Sequence, residues 1–553
     1  MLFAPVTPGQ VPASAAPELL RQQERERALR EQWESTPDVR LPTPIPPAAD
    51  RLPQEERPCF TIREIQLTGE EVNRFLWARQ AADPAADPAT GRCLGTAGIN
   101  IVMKRIQNAI VARGCVTTRV LASPQDLNSG VLTLTVIPGR VRAIRFAADT
   151  SSRATAWNAV PIRRGELLDL RAIEQALENF KRVPSVETDI QIVPAEGADA
   201  RPGESDLVIA WQQRSPPLRL NVALDDAGSR FTGKYQASAT LSLDHALTLN
   251  DLFYLNVNRD VLNPGGKGTR GHTLHYSVPF DYWQLGVTAS DYKYHQTVAG
   301  SSQNYVYSGA SKNAEIRVSR LFYRDATRKT GAYLRGWTRR SNNFIDDTEI
   351  EVQRRRTGGW ELGLTHREYF GASPLDASLA WRRGTGAFRA MAAPEEDFGE
   401  GTSRLKMLTA DAQLALPFKL ASQSLRYTAH WRAQWSRTPL VPQERFAIGG
   451  RYTVRGFDGE LTLTGERGWL WRNDLGWTLG QTGQELYLGV DYGAVGGPSS
   501  AWLMGKHLSG AVIGWRGGLS GGYWDVFVGT PLHKPKGFQA APTIAGFYLS
   551  WSC

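Results

Sequence analysis

From residue 217 onward the chain reads in steps of two. In LRLNVALD, Leu218, Leu220, Val222 and Leu224 alternate with Arg219, Asn221, Ala223 and Asp225. In LRYTAHWRAQWS, Leu425, Tyr427, Ala429, Trp431, Ala433 and Trp435 alternate with Arg426, Thr428, His430, Arg432, Gln434 and Ser436. YQASATLSL and LDASLAWR keep the same period. Period two marks a β-strand with one apolar and one polar face. The predicted strands often run ten residues or more, and short turns (DYWQ, GASP, GQTG) alternate with long polar loops at 301–311, 345–355, 387–403 and 441–466. Thirteen of the seventeen tryptophans lie in this region. A soluble sandwich has little use for so many large aromatics, whereas aromatic girdles, a polar interior and turns of two lengths describe an outer-membrane barrel. Counting segments over 216–553 predicts a transmembrane antiparallel β-barrel of about sixteen strands, an even number that places both termini on the periplasmic side.

Before residue 216 the period changes. Residues 59–140 read as a strand (FTIREIQLTG), a helix, a second helix with Ile99, Val102, Ile106 and Ile110 on one face, and two strands (TTRVLA, GVLTLTVIPG). Residues 141–215 repeat the order, with VRAIRFAA, a short helical stretch near Trp157, a helix carrying Leu170, Ile173, Leu177 and Phe180, then VETDIQIVP and SDLVIAWQQ. Two consecutive β-α-α-β-β units, each near the lower size limit for an independent core, suggest a modular adaptor. Residues 36–58 hold seven prolines in 23 positions, an extended semi-rigid linker. Within the N-terminal segment 1–35, residues 16–35 favour a helix with a thin apolar stripe (Leu19, Leu20, Leu29, Trp33) and charge almost all round: Arg21, Glu24, Arg25, Glu26, Arg27, Arg30 and Glu31. Such a helix is either a free tail or sits in wet, charged surroundings.

Composition narrows the function. No run of eighteen apolar residues exists, which excludes a helical membrane span but not a barrel. The net charge of +9 is scattered and no recognition motif accompanies it, so nucleic acid is not an expected partner. The start, MLFAPVTPGQ, shows no basic stretch followed by an apolar one; for an exported protein it reads as a processed or re-engineered start. Four cysteines without CxxC or Cys/His clusters argue against a metal site, and no cofactor is expected. Neither a phosphate-binding GxxxxGK[ST] nor GxSxG appears, so the chain does not read as an enzyme.

The polar helix, the proline linker, two β-α-α-β-β modules and a barrel with Val454-Arg455-Gly456-Phe457 in its long sixth loop together resemble the two-partner secretion outer-membrane transporters, relatives of the barrel-assembly machinery. The modules look like POTRA domains, and the resemblance spans essentially the whole chain. VTTRVLASPQDLNSGVLTLTVIPGRV, IEQALENFKRVPSVETDIQIVP, GESDLVIAW, SRLFYRDATRKTG and DFGEGTSRLKML are similar to the haemolysin-secretion and contact-dependent-inhibition branch.

The resemblance implies a protein of the bacterial outer membrane with its POTRA domains in the periplasm. It would capture an unfolded exoprotein partner, a toxin, cytolysin or adhesin with an N-terminal secretion domain, and pass it through the pore. Outer-membrane lipids and the assembly machinery are its other expected partners, and an insertase of the barrel-assembly type is the alternative function. In this family the sixth-loop arginine meets an acid on the inner wall, which implies Asp491 as partner of Arg455. Parity reaches the same residue independently: Leu486, Leu488, Val490 and Tyr492 form the apolar face, so Glu485, Tyr487, Gly489 and Asp491 point inward. The helix at 16–35, with Arg21, Arg25, Leu29 and Trp33, is implied to plug the lumen. Arg219, Arg382, Arg426 and Arg432 would give that lumen a positive, hydrated lining. In the second POTRA-like module the edge strand Thr188, Asp189, Ile190, Gln191, Ile192, Val193 is the candidate substrate-binding element, by strand addition. Cys59 and Cys93 bracket the first helix of the first module and would pair in the periplasm, with Cys115 an alternative partner for either. Cys553 stands where the family usually ends in an aromatic residue, on the outward face with Phe547, Leu549 and Trp551.

Overall fold

The computed structural model describes residues 15–34, 37–42, 51–263, 265–480 and 482–553. Parts of the predicted linker (36 and 43–50), the last residue of the predicted plug and one position of the GQTG turn lie outside them.

Sixteen antiparallel strands, from Leu218–Asp225 to Ile544–Ser552, form a closed barrel. A two-residue strand, Thr348–Glu349, folds back on Arg328–Ile345, whose main partner is Arg355–Phe370. The alternation seen in the sequence becomes inside and outside. In Glu485–Gly496, Glu485, Tyr487, Gly489 and Asp491 are buried, while Leu486, Leu488, Val490 and Tyr492 are exposed. Trp431, Trp435, Trp469, Trp471, Trp477, Trp515 and Trp551 are exposed on the outer surface, where lipid replaces water.

One expected loop is a strand. Residues 304–311 pair with Trp283–Ala299 up to Ala299↔Asn304, which leaves a connection of four residues instead of 301–311. The strand Asn304–Arg324 is 21 residues long, more than a membrane requires, and so projects beyond it.

In the first periplasmic module, Glu64–Gly69 pairs in parallel with Val131–Ile137, which also pairs antiparallel with Arg119–Leu121. The helix α2 (Thr96–Ala112) buries Val102, Ile106 and Ile110 on this sheet. Its N-terminus is capped from a distance: the Glu56 carboxylate accepts from Gly95 N (2.7 Å), Ala97 N (2.9 Å) and Gly98 N (3.0 Å), satisfying otherwise unpaired amides. The expected first helix is a pair of 3-10 turns, Val72–Arg74 and Leu76–Ala82.

The second module orders its strands Arg140–Phe146, Glu204–Gln213, Val186–Pro194, so Val186–Pro194 lies at an edge. Its helix, α3 (Leu170–Lys181), is buried from Leu170 to Phe180 because one side packs on its own sheet and the other faces the periplasmic rim of the barrel. There Asn179 donates to Asp281 O (2.8 Å) and Arg182 to Ser277 O (3.0 Å). The helix expected near Trp157 is a series of turns. Trp157 instead docks edge-on against Phe280 of the barrel, 5.8 Å between ring centres.

Cys59 and Cys93 form a disulfide, and Cys115 and Cys553 are free. Burial, reinforced by nearby Asp169, pushes the Cys115 thiol up to about 11. Since the thiolate is the nucleophile, Cys115 should alkylate far more slowly than exposed Cys553 at pH 8. Mass spectrometry should then show Cys553 modified first and Cys59 and Cys93 only after reduction; equal rates for the two free thiols would contradict this packing.

Candidate functional site

Two elements fill the lumen, and the chain holds them differently. The helix α1 (Ala15–Trp33) crosses it through polar contacts around its whole circumference. Arg21 donates to Gly459 O (2.8 Å), Gln23 to Gln443 O (3.0 Å) and Arg25 to Gln236 Oε1 (2.9 Å). Arg30 pairs with Glu315 (2.7 Å), and both Nη atoms of Arg432 lie 2.8 Å from the Glu24 carboxylate. Glu18 accepts from Thr232 (2.9 Å) and from Tyr292. Trp33 lies tilted against Tyr254 (5.9 Å between ring centres), with the Arg219 guanidinium 4.9 Å from its ring centre. Leu19 is the helix's one fully buried apolar side chain among the described residues, and Leu29 is half-buried.

The linker behind the helix is clamped at the periplasmic mouth. Val39 N and Leu41 N donate to Glu178 (2.8 Å) and Glu174 (2.9 Å) of α3. Arg324, on the barrel, binds both carboxylates and the Val39 carbonyl (2.6 Å). Asp38 takes Lys329 and Tyr369.

The sixth loop, 437–466, folds into the lumen and begins with a short ribbon, Phe446–Ile448 against Leu463–Gly465. Arg455 grips Asp491 through Nε (2.7 Å), Nη2 (2.8 Å) and its own backbone N (2.9 Å). The same Nη2 reaches Asp474 at 2.5 Å. Asp491 is 1% exposed and Arg455 5%. Charges extend the pair sideways: Arg516 lies 3.4 Å from Asp474 and donates through Nε to Glu485 (2.8 Å), which also pairs with Arg426 (2.8 Å).

The loop backbone lies against the wall. Gly456 adopts φ +93°, and a Cβ on Gly510 would stand 1.9 Å from the Arg455 carbonyl, so side chains are excluded from this approach. Val454 and Phe457 enter a cluster with Phe446, Ile448 and Leu463 of the loop, Leu470, Val495 and Leu508 of the wall, and Phe538. Phe457 meets Phe538 edge-on at 6.0 Å.

Several residues were not singled out by sequence. Asp474 is inward by the same parity that identifies Asp491, so a signal existed. Arg451 had none, since it acts partly through a main-chain atom: it donates to Asp226 (2.8 Å) and to Phe547 O (2.8 Å), and Asp226 also accepts from Phe547 N (2.9 Å). It thereby bridges the first and last strands, whose ladder pairs Asn221–Asp225 with Tyr548–Ser552, with one further reciprocal pair of backbone bonds between Leu220 and Cys553.

The expected free positive lining is corrected. Arg219 pairs with Asp244, Arg382 with Glu444, Arg426 with Glu485 and Arg432 with Glu24. A carboxylate beside each of these arginines offsets their mutual repulsion at short range, whereas Arg317 lies over the Tyr333 ring (3.8 Å to its centre). Water-accessible space survives as two cavities of about 820 and 610 Å³, with α1 lining both.

These elements match a known set of proteins. The model of haemolysin secretion/activation proteins ShlB/FhaC/HecB matches residues 203–517, and POTRA models match 60–139 (ShlB-type) and 140–194. The chain belongs to the haemolysin secretion/activation family. It is 38% identical over 550 residues to the outer membrane transporter CdiB-2 of Burkholderia pseudomallei, covering 96% of this chain and 92% of that one. To the haemolysin transporter ShlB of Serratia marcescens it is 26% identical, covering 81% and 78%. The solved structure of CdiB from Acinetobacter baumannii superposes with a TM-score of 0.84 at 30% identity, over 99% of this chain and 100% of that one. The transporter is thus an outer-membrane protein of two-partner secretion.

Removing one partner of a buried ion pair costs about 3–5 kcal/mol. Arg455→Ala leaves the facing acids Asp491 and Asp474 with only their longer contacts, to Arg472 (3.9 Å) and Arg516 (3.4 Å). The loop should then loosen, and trypsin added to intact cells should cut at Arg451, which should stay uncut in the parent protein. Equal resistance in both would show that the pair does not root the loop.

Proposed function

We propose that the transporter exports a large unfolded exoprotein, of toxin, cytolysin or adhesin type, by expelling α1 from the lumen while the sixth loop stays rooted. What carries this reading is the contrast between the two lumen elements. Nine buried apolar side chains hold the loop, and burying such a side chain is worth about 1.5–3 kcal/mol. The helix is held by ion pairs and hydrogen bonds beside water-accessible cavities, and water can take over its polar partners when it leaves. A helix with its side chains is about 10–12 Å wide, and its departure would join the two cavities into a passage for an extended chain.

Recognition would fall to Thr188–Val193. This strand is bonded on one side only, to Glu204–Gln213, and offers its other edge to an extended peptide through main-chain bonds that ask for no single sequence. The linker clamp at Asp38–Leu41 lies on the same module and ties the state of α1 to it. The curated relatives named above are transporters, which favours export over the insertase reading. Neither cofactor nor nucleic acid has a part in this scheme, and folding of the cargo outside the cell supplies the drive.

Arg455→Ala should abolish export while a heat-modifiable, folded barrel still reaches the outer membrane; normal export would refute the role of the loop. Deleting residues 15–34 should raise single-channel conductance several-fold, and an unchanged pore would reject the plug. A photo-cross-linker at exposed Gln191 should capture the partner during export, whereas capture only at the opposite face of the module would displace the edge-strand assignment.

A further inference from the structure

Most inward arginines of the barrel find carboxylates; a row of outward cations finds none among the described residues. Beginning at the strand Leu252–Val261, ten consecutive wall strands each bring one Lys or Arg to the outer face near the cell-surface end. Arg259 stands opposite Arg270, which stands opposite Lys293. Lys312 stands opposite Arg340, and Arg340 opposite Arg356. Arg383 stands opposite Lys406, whose carbonyl accepts from Arg437 N (3.3 Å), and Arg467 closes the row at the start of the next strand.

Like charges directly opposite each other destabilise a sheet unless something lies between them. None of the ten makes an ion pair among the described residues. Asp291 is the acid in the row, opposite Lys312, and it is engaged by His272 at 3.2 Å. The other six wall strands carry no Lys or Arg at outward positions, so the cations form an arc and not a ring. The short ladder between Leu218–Asp225 and Ile544–Ser552 lies in the bare part.

The level of the row identifies what it meets. Arg259 is two residues beyond exposed Val257, Arg383 beyond Trp381 and Arg437 beyond Trp435, while Lys406 precedes Leu408 and Arg467 precedes Trp469 by the same step. Two residues of strand are about 7 Å, which sets the cations just above the apolar band, at headgroup height.

We infer that this arc binds phosphate-bearing lipid headgroups of the outer leaflet, fixing ten strands in bound lipid and leaving the barrel seam free of it. The test uses the full chain in nanodiscs of phosphatidylcholine with bisphosphorylated lipid A, or with the same lipid dephosphorylated, and counts retained lipid by native mass spectrometry. Retention of the bisphosphorylated form should exceed that of the dephosphorylated form by on the order of tenfold. R270Q/R340Q/R383Q/K406Q should lose that preference, and R270K/R340K/R383K should keep it. Equal retention of the two lipids by the parent chain would overturn the inference without reference to any variant, as would an undiminished preference in the glutamine variant.

Discussion

The arrangement of the lumen depends on one guanidinium held between two carboxylates. Arg455 takes both oxygens of Asp491 and one of Asp474, and the Arg455 amide binds the same Asp491. A charge this deeply buried is tolerated only when its donors are nearly all satisfied, and here a planar fork meets acids on two adjacent strands. That requirement fixes the path of the loop: Val454 and Phe457 follow into the apolar cluster, and Arg451 arrives at the seam between first and last strands. From this root the loop also supplies Gly459 O and Gln443 O as acceptors for α1. The plug therefore rests on a surface that the loop builds.

The two occupants differ in kind, and the difference suits a gate. A loop rooted by apolar burial resists removal, because every exposed side chain restores its cost in water. A helix held by charges beside hydrated cavities can exchange each protein partner for water, which an apolar contact cannot do. The linker clamp couples that exchange to the periplasmic side, since Glu174 and Glu178 bind both the linker amides and Arg324 of the barrel.

Much of this was legible because strands fix direction. Parity alone placed Asp491 in the lumen, and strand counting put Val454 to Phe457 in the sixth surface loop. The same parity exposes Asp474, but nothing in the sequence marks one inward acid as better than another. Leu470, Val495 and Leu508 broke the rule of a polar interior because they face the loop and not water. Residues 304–311 read as a loop since a strand above the membrane is wet on both faces and loses its alternation. Trp157 suggested a helix, yet its apolar signal served docking against Phe280. Paired lumen arginines could not be foreseen, because their partners come from α1, from the sixth loop and from distant wall positions.

The central claim is that the loop root stays while the helix leaves. A Cβ at Gly493 would stand 2.8 Å from Val454 Cγ2, close enough for Val454→Cys and Gly493→Cys to join in a disulfide. Arg25→Cys and Gln236→Cys, joined by a short bis-maleimide, would tether the helix instead. Export of the partner should be measured for each locked protein, with Cys115 and Cys553 replaced by serine. The account predicts that the loop-locked protein exports normally and the helix-locked protein does not. Export blocked by the loop disulfide and restored by reductant would contradict it.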